Sequence, residues 1–173
     1  WQKKSLLIRS AIEDFTDPVM PEALFRLAQS RAVESRLVIN EGGTWRLEHG
    51  PFRKSRWQRL PERHWTLLVQ GLNHHVPAAE RLLRRFDFVP LARLDDVMVS
   101  VAAPGGGVGP HFDSYDVFLL QGRGVRRWAL SRQRDLHLAP DAPLKLLQRM
   151  HVEESHDLVS GDMLYLPPRV AHD

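Results

Sequence analysis

Apolar positions recur along the chain with two different periods, and the change falls near Pro90. Before it, Asp17-Pro18 marks a turn and Pro21 opens a helix in which Leu24, Leu27 and Ala28 recur at helical spacing. SRLVINEGGTWRLEH predicts a hairpin with arms Leu37–Ile39 and Trp45–Leu47 and a loop at Asn40–Gly43. HWTLLVQGLNHH predicts a second helix, with Trp65, Leu68, Val69 and Leu72 on one face. After Pro77, the stripe Ala79, Leu82, Leu83 and Phe86 predicts a third. Beyond Pro90 the apolar runs are short, rich in β-branched and aromatic residues, and parted by Gly, Pro and Asp. They predict strands at Val97–Ala102, Val117–Leu120, Val125–Leu130, around Leu146–Val152 and at Met163–Leu166. Short strands at this spacing point to an all-β sandwich or barrel rather than βαβ units. The pattern divides the chain into a mixed, mostly helical part at 1–90 and a β core at 91–173.

Composition narrows the function classes. With 173 residues, 43% hydrophobic and 26% charged, the chain has the make-up of a globular domain. It contains no cysteine, which excludes a disulfide framework, a thiolate zinc site and a cysteine nucleophile. No run approaches the roughly 20 apolar residues of a membrane span, so no membrane partner and a cytoplasmic location are expected. The net charge of +3 comes from 20 arginines and only 4 lysines against 21 acidic residues. The densest basic run, Arg53–Arg63 with Trp57 inside it, could bind phosphates with a stacking aromatic, but a solvated basic loop is the preferred reading. The chain opens on Trp1 and stops at Asp173, which suggests a piece of a longer protein.

Candidate chemistry begins at the loop PGGGVGP, Pro104–Pro110. A phosphate-binding loop would lead into a helix; here a strand follows, and nucleotide binding is set aside. Directly after the loop come His111 and Asp113, whose i, i+2 spacing puts both side chains on one face of an extended chain. About one such pair is expected by chance at this composition, and a second exists at His151 and Glu153. The first is favoured by its glycine-rich approach and by a distal partner, His172, in GDMLYLPPRVAHD. Two histidines and a carboxylate on one face of an octahedral ion form the facial triad of non-haem Fe(II) oxygenases. The three open positions suit a bidentate 2-oxo acid and dioxygen. The distal carboxylate of such a co-substrate needs a cation, and Arg126 on the strand after the metal pair supplies a bidentate fork.

The segments PGGGVGPHFDSYDVFLLQGRGVRRWAL and DMLYLPPRVAHD resemble the JmjC-type branch of the cupin superfamily. Within it they are most similar to bacterial ribosomal oxygenases that hydroxylate an arginine of a large-subunit ribosomal protein. The resemblance implies a mainly β fold, a double-stranded β-helix (jelly roll) with an N-terminal α/β part packed on it. It implies that the chain stops inside the barrel, with dimerisation and winged-helix regions beyond residue 173 and a homodimer at full length. It assigns Fe(II) to His111, Asp113 and His172, and the far carboxylate of 2-oxoglutarate to Arg126. An arginyl substrate would be met by carboxylates at the pocket mouth, for which Asp95, Asp96 and Asp116 are candidates, with Tyr115 as a wall. Turn capping by the first two aspartates and a polar strand face for the third are the competing readings. No direct contact with nucleic acid is required. A metal-dependent cupin of other chemistry would not need Arg126, and a non-catalytic RNA-binding protein would survive loss of His111.

Overall fold

A computed structural model describes residues 1–173. In chain order its elements are β1 (Leu6–Ile8), α1 (Pro21–Leu27), β2 (Ser35–Glu41), β3 (Thr44–His49), α2 (Lys54–Trp57) and β4 (Trp65–Val69). A 3₁₀ turn at Leu72–His74 leads to α3 (Pro77–Arg84), and a second at Leu91–Arg93 leads to β5 (Val99–Ala102). Then follow β6 (Val117–Leu120), β7 (Arg126–Ser131), β8 (Glu154–Leu158), β9 (Met163–Leu166) and β10 (Ala171–His172). The chain forms two compact units, residues 18–107 and residues 1–17 with 108–173. The change of pattern at Pro90 had suggested 1–90 and 91–173; β5 instead completes the sheet of the first unit, and the first 17 residues belong with the last 66.

Residues 18–107 are built on an antiparallel sheet of order β3-β2-β4-β5. The predicted hairpin is present, but its strands run on until Glu41 faces Thr44, leaving only Gly42 and Gly43 in the turn. Their φ values of +61° and +90° are those a two-residue hairpin loop requires, which is why two glycines stand there. The helix expected over residues 64–75 is not formed. WTLLV is the central strand β4, paired on both edges, with Thr66, Leu67, Leu68 and Val69 buried. A short run apolar but for Thr66 fits a doubly covered strand as well as a helical stripe, and Gly71 at φ +60° stops it before a helix could gain length. Leu37, Ile39, Leu67, Val69 and Leu72 make the core with Leu24 and Ala28 of the first helical segment. Trp57 packs edge-on against Phe25 at 4.9 Å and tilted on Phe52 at 5.1 Å. Arg56 grips both carboxylate oxygens of Glu48 at 2.8 Å, which holds that carboxyl below its usual range. The one aromatic of the basic run is thus a core-facing side chain and not a stacking platform.

The other unit is a pair of three-stranded antiparallel sheets, ordered β1-β9-β6 and β10-β7-β8. Leu164 and Leu166 of one sheet meet Leu130 and Leu158 of the other, joined by Leu7, Leu119 and Trp128. Period-two alternation sets which side chains enter this interior. Arg126, Trp128 and Leu130 share the inner face of β7, and Arg127 is turned outward to Asp157, which it grips at 2.7 and 2.9 Å. The strand expected around Leu146–Val152 is not there: Leu147 makes an isolated bridge with Leu138, and consecutive exposed Gln148 and Arg149 break the alternation. ESHDL, which does alternate, forms β8 instead. The short strand β1, unannounced in the pattern, pairs Leu6 with Tyr165 and Ile8 with Met163. It is held by buried Asp162, whose carboxylate accepts the N–H of Ser10 at 3.0 Å, the N–H of Val159 at 3.1 Å, and the Arg9 guanidinium.

Candidate metal centre

The triad is assembled by two segments that meet at one point. Gly109, at φ +77°, turns the chain into Pro110 and His111 in a conformation that favours glycine. His111 and His172 then form an antiparallel bridge with reciprocal N–H to carbonyl bonds of 2.9 and 2.8 Å. This brings their rings to 4.1 Å between centroids. Asp113, two residues on, returns to the same face, and one of its carboxylate oxygens lies 3.6 Å from Nε2 of His172. One ligand atom from each of the three residues lies within 4.8 Å of the others, close enough to hold a single ion.

Each histidine is prepared for that role. Nδ1 of His111 lies 2.8 Å from the carbonyl oxygen of Gly109, and Nδ1 of His172 lies 3.0 Å from that of Val170. In both rings the N–H is therefore assigned to Nδ1, which leaves the Nε2 lone pair for a metal and fixes the ring plane. His172 is 2% exposed. Burial, reinforced by His111 beside it, pushes its pKa from 6.5 down to about 4, so the ring is neutral at pH 7. Two imidazoles and one carboxylate, with no thiolate, form a donor set suited to an octahedral divalent ion that keeps open positions.

Arg126 belongs to the same interior. Its guanidinium lies 5.8 Å from the ring centroid of Trp128, whose indole is in turn 5.8 Å from the His172 ring. Burial lowers the Arg126 pKa, the mark of a cation largely withdrawn from water. Arginine stays charged under any such shift, so an anion entering here meets a desolvated partner. Trp128, which the sequence placed only on Arg126's strand face, is the ring that neighbours both the guanidinium and His172.

The other candidates have surroundings of their own. Asp116 accepts the Tyr165 hydroxyl and, at 2.8 Å, the Gln2 side-chain amide, on the sheet face opposite Leu119 and Leu166. Both oxygens of its carboxylate are engaged there, so the structure favours the polar strand face over the pocket mouth. Asp96 accepts the N–H of Gly71 at 2.5 Å and the Gln70 side chain at 3.4 Å, a turn cap in the other unit. Asp95 is exposed in that same unit, and Tyr115 is 63% exposed. In the competing pair, Glu153 caps the end of β7, accepting Ser131 Oγ and the Arg132 N–H at 3.1 Å. Sequence reasoning passed over Arg169, whose N–H donates to the carbonyl oxygen of Asp113.

The profile of the JmjC domain matches residues 81–173, more than half of the chain and inclusive of all three candidate ligand residues. The chain belongs to the JmjC domain family. It is 41% identical over 175 residues to the ribosomal protein uL16 3-hydroxylase of Escherichia coli K12, a match that covers 100% of this chain and 46% of that protein. The crystal structure of E. coli YcfD superposes with a TM-score of 0.91 at 40% identity, over 99% of this chain and 46% of that one. The structure of YcfD, a ribosomal oxygenase, in complex with cobalt and 2-oxoglutarate gives a TM-score of 0.89 at 39% identity, covering 99% and 44%. The chain thus spans about half the length of the curated relatives it matches. The JmjC domain carries the jelly-roll fold that the resemblance implied.

Proposed function

We propose that this chain carries the catalytic core of an Fe(II)- and 2-oxoglutarate-dependent protein hydroxylase acting on an arginine side chain of a large-subunit ribosomal protein, with uL16 the first substrate to test. The observation that carries the reading is the convergence of His111, Asp113 and His172 within 4.8 Å, with Arg126 withdrawn from water on the inner face of the same unit. The relative that is 41% identical is a uL16 3-hydroxylase, which supports the substrate class.

The residues divide the work. His111 and His172, each through Nε2, and Asp113, through a carboxylate oxygen, would hold the ion. Their orientation is set in advance by the Gly109 and Val170 carbonyls, so little reorganisation accompanies binding. When bound, iron(II) supplies the activation of dioxygen that decarboxylates 2-oxoglutarate to succinate and carbon dioxide, one oxygen atom ending in succinate and the other as the substrate hydroxyl. Arg126 would pair with the far carboxylate of the co-substrate, with Trp128 beside both the guanidinium and His172.

The test supplies the full-length protein with Fe(II), 2-oxoglutarate, oxygen and uL16 fragments, and follows succinate and peptide mass. One added oxygen on a single arginine, lost in His111→Ala, is the expected result. Succinate without a modified arginine removes the substrate assignment and keeps the oxygenase. Neither product, from protein that holds iron, removes both.

A further inference from the structure

Arg169 stands where glycine would be expected. Its φ is +68°, a left-handed backbone that residues with a Cβ adopt only at a cost. That conformation aims its N–H at the carbonyl oxygen of Asp113, 2.8 Å away. Beside the reciprocal His111–His172 pair, this is a third main-chain bond between the segment bearing His111 and Asp113 and the segment bearing His172. The side chain turns to the same place. Its guanidinium carbon lies 5.8 Å from the ring centroid of Phe112, the residue between the two ligands. On an extended chain Phe112 points away from His111 and Asp113, so the guanidinium covers the back of the ligand segment.

We propose that Arg169 is a positioning residue of the metal centre: its left-handed backbone and its guanidinium on Phe112 clamp the His111–Asp113 segment to the segment carrying His172. The inference rests on the triad being a metal centre. A single bridged pair at His111 and His172 fixes one point and leaves Asp113, two residues on, free to pivot about it. The Asp113 carbonyl bond and the cover over Phe112 remove that freedom from two sides. Glycine would make the same main-chain bond with less strain, so the presence of arginine is accounted for by what its side chain does.

Cobalt(II) is the probe, added to the purified full chain and read by its d–d absorption and by titration. Four proteins are compared: the unaltered chain, Arg169→Gly, Arg169→Lys and Phe112→Leu. Arg169→Gly should melt no lower than the unaltered chain, because its backbone strain is relieved, yet bind cobalt about tenfold more weakly with a changed spectrum. Arg169→Lys should recover part of the loss, and Phe112→Leu should reproduce it with the left-handed residue untouched. Unchanged affinity and spectrum in both Arg169→Gly and Phe112→Leu overturn the inference while the metal centre stands. Should Arg169→Gly fail to fold, Phe112→Leu decides alone. If the unaltered chain shows no cobalt spectrum that His111→Ala removes, the metal-centre reading itself is lost, and the clamp with it.

Discussion

A neutral histidine sealed inside a fold makes stability depend on pH in a calculable way. His172 is 2% exposed and has its pKa pushed from 6.5 to about 4, chiefly by burial. Between those values the unfolded chain takes up a proton that the folded chain refuses, so acid favours unfolding. The folded state carries no penalty from this group well above pH 6.5, and the full penalty below pH 4. Each tenfold change in proton affinity is about 1.4 kcal/mol, which makes that full penalty about 3 kcal/mol. Going only from pH 7 to pH 5 costs about 2 kcal/mol, or about 4–8 °C in melting temperature at this chain length. The assay is denaturant unfolding of the metal-free protein in chelator at both pH values, beside His172→Gln, which cannot titrate. The unaltered protein should lose about 2 kcal/mol more than the variant over this interval. Parallel losses would refute the reasoning and show that the ring is protonated in the folded state.

Other consequences are as open to measurement. Arg126→Ala should keep cobalt binding but weaken 2-oxoglutarate about a hundredfold by calorimetry; equal affinity would remove Arg126 from the site. Asp162→Ala strands the N–H groups of Ser10 and Val159 and should cost about 2–4 kcal/mol in denaturant unfolding. Burial works to raise the Asp162 carboxyl, but those N–H groups and Arg9 outweigh it and hold it below 3.8, so its contribution is present above the unfolded value and fades as pH drops through the lower folded one. Leu67→Ala, at a fully buried position of the central strand, should cost about 2–5 kcal/mol, whereas a helix-surface position would lose almost nothing. Trp57→Ala should lower the melting temperature and leave any salt-dependent RNA binding unchanged, and the reverse result would restore the stacking role.

What could be read from the chain alone was what depends on short-range alternation. His111 and Asp113 flank one residue after a glycine-rich approach, and Arg126 and Trp128 share a strand face by the same count of two. Their inward aim follows from the period of an extended chain. The reading failed where two periods fit one run. Trp65–Val69 is apolar but for Thr66, and only its distant neighbours β2 and β5, one on either side in sequence, make it a strand. Asp116 carried two readings from the sequence, and spacing could not choose between them, because the chain bends at Ser114 and Tyr115 before Asp116 meets Tyr165 and Gln2. The left-handed Arg169 has no sequence mark at all, because arginine gives no warning of positive φ.

The pairing of β1 with β9 bears on how the protein is made. Leu6 leaves the ribosome long before Tyr165, its partner in the sheet. Residues 18–107 can close their four-stranded sheet while the remainder is still being translated, because every strand of that sheet lies within the interval. The first strand has to wait, tethered and unpaired, until β9 emerges. Closing so long a loop is entropically costly and is repaid only once β6 and β9 are in place. Assembly is therefore vectorial in one unit and deferred in the other, where β1 docks only after the strands that follow it have been made.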